Sequence, residues 1–285
     1  MIDYWCNAFT PDREPLWQAV IQQDGLSIRL GAREDDAFCS VAEMVDRMNQ
    51  ATITTLILPV CDLDDGSPLD HFAHYALRPT EIHQLAAAHP GRFVGMYSMS
   101  PDEPGDIEAA DEALNSAWCV GIHNHTHSWD HGFDSPALRP YYELATKHGV
   151  PVVMQAGASG GHRDHTLGHP DAIAAPAAEF PTVDFVLSHL GLPWIEETIA
   201  AARAHANVVL GTATHPPRRW PAELLDFVRS DGAEKTLFGS GYPLTGHLFV
   251  QSQFDALDIS AAAKEALRHG NARRIFTRIP ARVGG

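Results

Sequence analysis

The sequence predicts an α/β fold, a single (β/α)8 TIM barrel formed by residues 1–285, and three observations predict it. Eight short apolar runs alternate with amphipathic stretches along the whole chain. No low-complexity linker divides them. A length of 285 residues is one that a single closed barrel fills.

The apolar runs fall at residues 1–4, 52–59, 93–98, 119–122, 151–155, 183–188, 208–211 and 236–239. Most are short and rich in Val, Ile, Leu and Phe, as strands covered on both faces require. The amphipathic stretches lie at 41–50, 80–88, 104–116, 137–148, 194–205, 222–229 and 259–269. Ser40 followed by Glu43 makes a capping box that starts the first of these. Pro136 and Pro221 stand where a first helical turn tolerates a missing N–H. The polar segment 25–38, with Gly31 and Asp35-Asp36, reads either as an active-site lid or as a solvated surface loop.

Hydrophobic residues make up 45% of the chain and charged ones 20%, an ordinary globular balance. The net charge of −16 argues against nucleic acid or an anionic membrane as partner, since both need a basic footprint. A small, anionic molecule is the expected substrate, and a second copy of the chain is the further expected partner, as a homodimer. Cys6, Cys39, Cys61 and Cys119 lack paired spacing, so neither a disulfide framework nor a zinc ribbon is expected. With no charged-then-apolar leader and no run long enough to span a bilayer, the chain reads as cytoplasmic.

Several segments, in order and spread over most of the chain, carry a family resemblance. They are Met1-Ile2-Asp3, Pro90-Gly91-Arg92-Phe93-Val94-Gly95, the stretch Leu138-Arg139-Pro140-Tyr141-Tyr142 leading to Pro151-Val152-Val153, Phe185-Val186-Leu187-Ser188-His189, and Gly270-Asn271-Ala272-Arg273-Arg274. Leu237-Phe238-Gly239-Ser240-Gly241-Tyr242-Pro243 resembles an L-F-G-S-D-Y-P signature. Together they resemble the amidohydrolase-related (amidohydrolase 2) family. Thr126-His127 followed by Trp129-Asp130 resembles its aminocarboxymuconate-semialdehyde decarboxylase branch.

The resemblance implies a metal-dependent barrel that hydrolyses or decarboxylates small acids. Its metal is held by an H-x-H pair on strand 1, a His ending strand 5 and the Asp of strand 8, and a strand-6 His acts as ligand or acid/base. Here the first pair becomes Trp5 and Asn7, the strand-5 His becomes Gln155, and the Asp becomes Gly241. Indole and amide are poor ligands for zinc or manganese. The expectation is therefore no metal and no cofactor at the family's site, with His189 alone retained.

His189 ends an apolar strand, at the barrel face where catalytic groups gather, and an imidazole moves protons near neutral pH without a metal. It is the expected catalytic acid/base; a structural histidine is the plain alternative. In Gly121-Ile122-His123-Asn124-His125-Thr126-His127, alternation puts His123, His125 and His127 on one face and Val120 and Ile122 on the other. The histidines then line a substrate pocket, or His125 and His127 join His189 in a relocated metal site, or a loop begins as early as Asn124. Trp5 fills the metal's volume and offers a stacking surface; Asn7 and Gln155 offer mixed donors and acceptors for an anion. Ser240 and Tyr242 flank Gly241 and join the expected pocket, as does His215 after strand 7, while Ser240 also suits turn closure. Cys6 alternates away and reads as packing. The loop residues His162, Arg163 and His165 could cover an anionic substrate.

The function expected first is hydrolysis of an activated, lactone-type bond in a small planar carboxylated metabolite, with His189 as acid/base. A metal-independent decarboxylase, other lyase or isomerase comes next, and a ligand-binding pseudoenzyme stands as the non-catalytic alternative.

Overall fold

In the computed structural model of this chain, residues 1–23, 37–61, 76–158 and 164–280 are described. The 25–38 segment, apart from Ala37 and Phe38, lies outside them, and so do His162 and Arg163.

Eight parallel strands form one sheet in sequential order: β1 (Ile2–Asp3), β2 (Thr55–Val60), β3 (Phe93–Ser98), β4 (Cys119–Asn124), β5 (Val152–Met154), β6 (Phe185–Leu187), β7 (Val208–Gly211) and β8 (Thr236–Leu237). The sheet closes on itself: Tyr4 N donates to Phe238 O at 3.1 Å, Gly241 N to Trp5 O at 2.9 Å, and Cys6 bridges Tyr242 in parallel. The expected TIM barrel is present. Each of the eight predicted runs overlaps a strand, because parallel strands covered on both faces leave an unbroken apolar signature.

The barrel interior receives at least one side chain from every strand: Ile2, Ile57, Val94, Met96, Val120, Val153, Val186, Val209 and Leu237. Complete burial of one such side chain contributes about 1.5–3 kcal/mol. Ala272, Ile275, Phe276 and Ile279 join the same cluster, with Phe276 packed beside Gly121 of β4. A larger apolar layer lies between sheet and helices, holding Leu56, Leu58, Ile122, Val152, Leu187 and Leu210.

Helices α1 (Glu14–Gln23), α2 (Val41–Gln50), α3 (Pro79–Ala88), α4 (Asp106–Leu114), α5 (Thr126–Trp129), α6 (Arg139–His148), α7 (Ala174–Glu179), α8 (Ile195–Ala204), α9 (Ala222–Arg229), α10 (His247–Asp255), α11 (Ala261–Glu265) and α12 (Asn271–Ile275) fill the connections. The Ser40/Glu43 box forms as expected, with Ser40 N donating to Glu43 Oε2 at 2.8 Å. Helices α1, α5, α7 and α10 were not expected from the sequence. Residues 247–255 lack a side-chain N-cap, since Gly246 precedes them, and their apolar pattern is weak. None of the described helices is long and apolar enough to cross a membrane.

Strand β4 departs from simple alternation. Gly95 pairs with Cys119 but Met96 pairs with Gly121, so Val120 is an extra residue in a bulge. The bulge turns Val120 into the barrel, correcting its expected place on the outer face beside Ile122.

Candidate active site

The C-terminal ends of β1, β4, β6 and β7 bring Trp5, His123, His189 and His215 to one region. His123 is inward on β4, level with Val153 of β5, and is fully buried. Its Nδ1 lies 2.9 Å from Ser98 Oγ on β3. His189 sits two residues beyond β6. The indole of Trp5 stands between these imidazoles, with ring centroids 4.7 Å from His123 and 5.2 Å from His189, both edge-on. Trp5 is only 3% exposed, so what it supplies in this structure is filled volume.

His189 has a defined tautomer. Its Nδ1 is 3.2 Å from Ala213 O and 3.1 Å from Thr214 Oγ1. A carbonyl oxygen can only accept, so the N–H is on Nδ1 and Nε2 carries a bare lone pair. That Nε2 is buried and has no hydrogen-bond partner among the described residues. Burial, then the neighbouring His215, holds the His189 pKa down at about 3, although the Ala213 carbonyl works the other way. Burial, then His189, lowers His123 to about 3. His215 falls to about 4 through burial and then Arg219. At neutral pH these three imidazoles are thus uncharged.

The backbone here is strained. His189 (φ 55°), Leu190 (φ 60°) and Thr214 (φ 63°) all occupy the left-handed region without being glycine. For a β-branched residue this is a true outlier, and each such residue costs about 1–3 kcal/mol.

Asn7, in the segment after β1, and Gln155, directly after β5, are 5% and 8% exposed. The Asn7 side chain donates to Tyr242 O at 2.8 Å, which holds it to the segment after β8. The three-histidine face expected on β4 is corrected: the strand ends at Asn124 and the short helix α5 begins at Thr126. His125 still neighbours His123, with ring centroids 6.0 Å apart. His127 turns to the loop after β5, with Nε2 3.0 Å from Gly157 O and Nδ1 3.2 Å from Asp164 O. Its ring is 6.4 Å from that of His165. The relocated metal site is not assembled. Among the described residues, the one group of three metal-type donors within 4.8 Å of each other is Asp3, Cys6 and His247.

That group lies behind the barrel wall, where it explains Ser240 and Tyr242. Asp3 Oδ1 accepts from Ser240 N (2.8 Å) and Trp5 N (3.2 Å). Its Oδ2 accepts from Ser240 Oγ (2.5 Å) and His247 Nε2 (3.1 Å). All of Asp3, Ser240 and His247 are at most 1% exposed. Tyr242 stacks on His247 at 4.7 Å and donates its hydroxyl to Ala37 O, while Arg47 Nη1 donates to that hydroxyl at 2.9 Å. Ser240 and Tyr242 therefore point away from His189, correcting their expected place in the pocket: the turn is shaped by Asp3, and a carboxylate with four donors has no lone pair left for an ion. Cys6 is buried in the outer layer, as its alternation suggested. Sequence reading missed His247, Ala213 and the role of Thr214; Asp3 was visible only as the start of a signature.

The family's metal does not fit the residues present. Trp5, Asn7 and Gln155 offer an indole and two amides. Gly241 (φ 67°) offers nothing, and a Cβ there would lie 2.5 Å from Thr214 N and Cγ2 and 2.7 Å from its Cα. No carboxylate can grow from that position without moving the Thr214 backbone.

Comparison with known proteins bears on this geometry. Residues 70–278 match the amidohydrolase family. The 2-keto-4-carboxy-3-hexenedioate hydratase of Sphingobium sp. (strain NBRC 103272 / SYK-6) is 26% identical over 239 residues, which cover 68% of each chain. Two solved structures share the fold. An uncharacterised TIM-barrel protein from Bordetella bronchiseptica has a TM-score of 0.77 at 22% identity, over 98% of this chain and 99% of that one. A dihydroxybenzoic acid decarboxylase from Polaromonas sp. JS666, solved with manganese and an inhibitor, has a TM-score of 0.67 at 16% identity, over 99% and 98%. The chain belongs to the amidohydrolase family and is an enzyme of that superfamily.

Proposed function

We propose that this enzyme is a carboxy-lyase that works without the family's metal, on a small, planar, carboxylated and hydroxylated substrate, with His189 as the proton carrier. The observation that carries the reading is the bare, buried Nε2 of His189. A neutral imidazole in that tautomer takes the proton of a phenolic or enolic hydroxyl, its basicity, held low at a pKa of about 3 by burial, being raised by the negative charge of the substrate carboxylate beside it. The resulting imidazolium returns it to the carbon that bears the carboxylate. The bond to the carboxylate then breaks, CO2 leaves, and the released electron pair restores the conjugated system as a phenolate or enolate, which regains a proton from water. Every step uses one imidazole and no Lewis acid. In this reading Trp5, which is buried, excludes water, and Gln155 and His125 receive the substrate carboxylate.

The kinship with a hydratase and a decarboxylase fold supports lyase chemistry over the lactone-type hydrolysis first expected. Hydration is the second reading, favoured by the 26% identical relative: His189 Nε2 would take a proton from water adding to a carbon–carbon double bond.

The test is turnover by chelator-treated protein on a panel of dihydroxybenzoates and on 2-keto-4-carboxy-3-hexenedioate. CO2 release or hydration should persist, and His189→Gln should lower it by about a hundred- to ten-thousand-fold. Activity that returns only with added zinc or manganese would overturn the metal-free mechanism, and a parental rate in His189→Gln would remove that residue's role. A parent inert on the whole panel would favour the non-catalytic alternative.

A further inference from the structure

The loops after β6, β7 and β8 meet at one point, and Thr214 is its centre. Its hydroxyl oxygen is 3.1 Å from His189 Nδ1, slightly nearer than the carbonyl of the preceding Ala213 at 3.2 Å. It holds a left-handed backbone (φ 63°) that a β-branched residue avoids unless its surroundings enforce it. Its backbone and methyl group occupy the space into which a side chain at position 241 would project. Gly241 is itself left-handed, so glycine is required there twice over.

We propose that Thr214 is the positioning residue for His189, and that Gly241 lacks a side chain because Thr214 stands in its place. A single carbonyl acceptor leaves the imidazole free to swing about its Cβ–Cγ bond. Two acceptors from successive residues share the one N–H and fix both ring plane and tautomer, so the lone pair stays on Nε2 and keeps one direction. The pair Thr214/Gly241 thus replaces a strand-8 carboxylate by a neutral hydroxyl that acts through His189. The assignment rests on the proton-carrier reading of His189 for its consequence, though the contact itself does not.

Histidine-15N-labelled protein tests it, with the His189 signals identified by their loss in His189→Gln. The parent and Thr214→Ser should show one tautomer, protonated on Nδ1. Thr214→Val and Thr214→Ala, both lacking the acceptor, should show a mixture in which Nε2 is protonated as well. Their kcat should fall about tenfold or more, with KM within about twofold, and serine should restore it. Thermal melting establishes which variants are folded, and alanine serves where valine is not. A single parental tautomer in either folded variant overturns the proposal. That measurement needs no substrate, so the two ideas fail separately: parental turnover in His189→Gln removes the lyase mechanism alone, and a parental tautomer in Thr214→Val removes the positioning role alone.

Discussion

Two buried polar clusters lie on either side of the β1–β8 wall, and they are built in opposite ways. Behind the wall, Asp3 accepts four hydrogen bonds and holds the Ser240–Tyr242 turn to β1. In front of it, His189 and His123 are uncharged, and the Nε2 of His189 has no partner among the described residues. A buried carboxylate with its acceptors filled belongs to the fold, since it has no capacity left for a ligand. A buried base held in one tautomer, with its lone pair unused, costs stability and is kept for another reason. On the proposed reading the contrast separates scaffold from chemistry within a few residues of sequence: Asp3 and Trp5, two positions apart, serve different sides.

The largest expected effect tests the scaffold side. Asp3→Ala strands the donors of Ser240, Trp5 and His247, and should cost about 3–5 kcal/mol in urea unfolding, as broken buried pairs do. His189→Gln in the same assay should change stability by less than about 1 kcal/mol, because it removes a group that burial penalises. A similar loss in both variants would erase the distinction between the clusters.

Gly241→Asp restores the family signature without restoring its site. It should cost about 2–4 kcal/mol through left-handed strain and overlap with Thr214, and the folded fraction should gain no zinc or manganese by elemental analysis. Stoichiometric metal in this variant would show that Thr214 yields easily and that the pocket still accepts an ion.

The smallest effect per residue is the pH dependence of the mouth. Burial lowers His123 and His189 to about 3 and His215 to about 4, while in the unfolded chain each titrates near 6.5. Between those limits the unfolded state binds more protons than the folded one. The stability is therefore fully present above pH 6.5 and is lost as pH falls toward 3–4. From pH 7 to 5.5 the loss should be about 1 kcal/mol for each imidazole, seen as a falling melting temperature. His189→Gln should flatten the slope by one imidazole's share, and an unchanged slope would mean that His189 is solvated.

Much of the barrel was legible in the sequence because its signals are local. Val152–Met154, Phe185–Leu187 and Val208–Gly211 are apolar enough to be strands in any parallel sheet. The substitutions at Trp5, Asn7, Gln155 and Gly241 were legible for the same reason, as departures from a linear signature, and the position of His189 followed from the end of its strand. Residues 119–127 were less readable. Their alternation is genuine, but a bulge at Val120 and a strand end at Asn124 redirect the side chains, and neither leaves a mark in periodicity. Ser240 and Tyr242 flank the substituted ligand position in sequence, yet their direction depends on Asp3, more than two hundred residues away in the chain.

The sequence by itself determined that this is a (β/α)8 barrel of the amidohydrolase family, and it put Trp5, Asn7, Gln155 and Gly241 where the resemblance implies metal ligands, since periodicity and residue identity are properties of the chain. Only the tertiary structure decided what surrounds those positions. Thr214 fills the space beside Gly241, Trp5 packs between two imidazoles, and the Ala213 carbonyl and Thr214 hydroxyl together hold the proton of His189 on Nδ1. Those are close approaches between the ends of different strands, and such distances exist only once the barrel has closed.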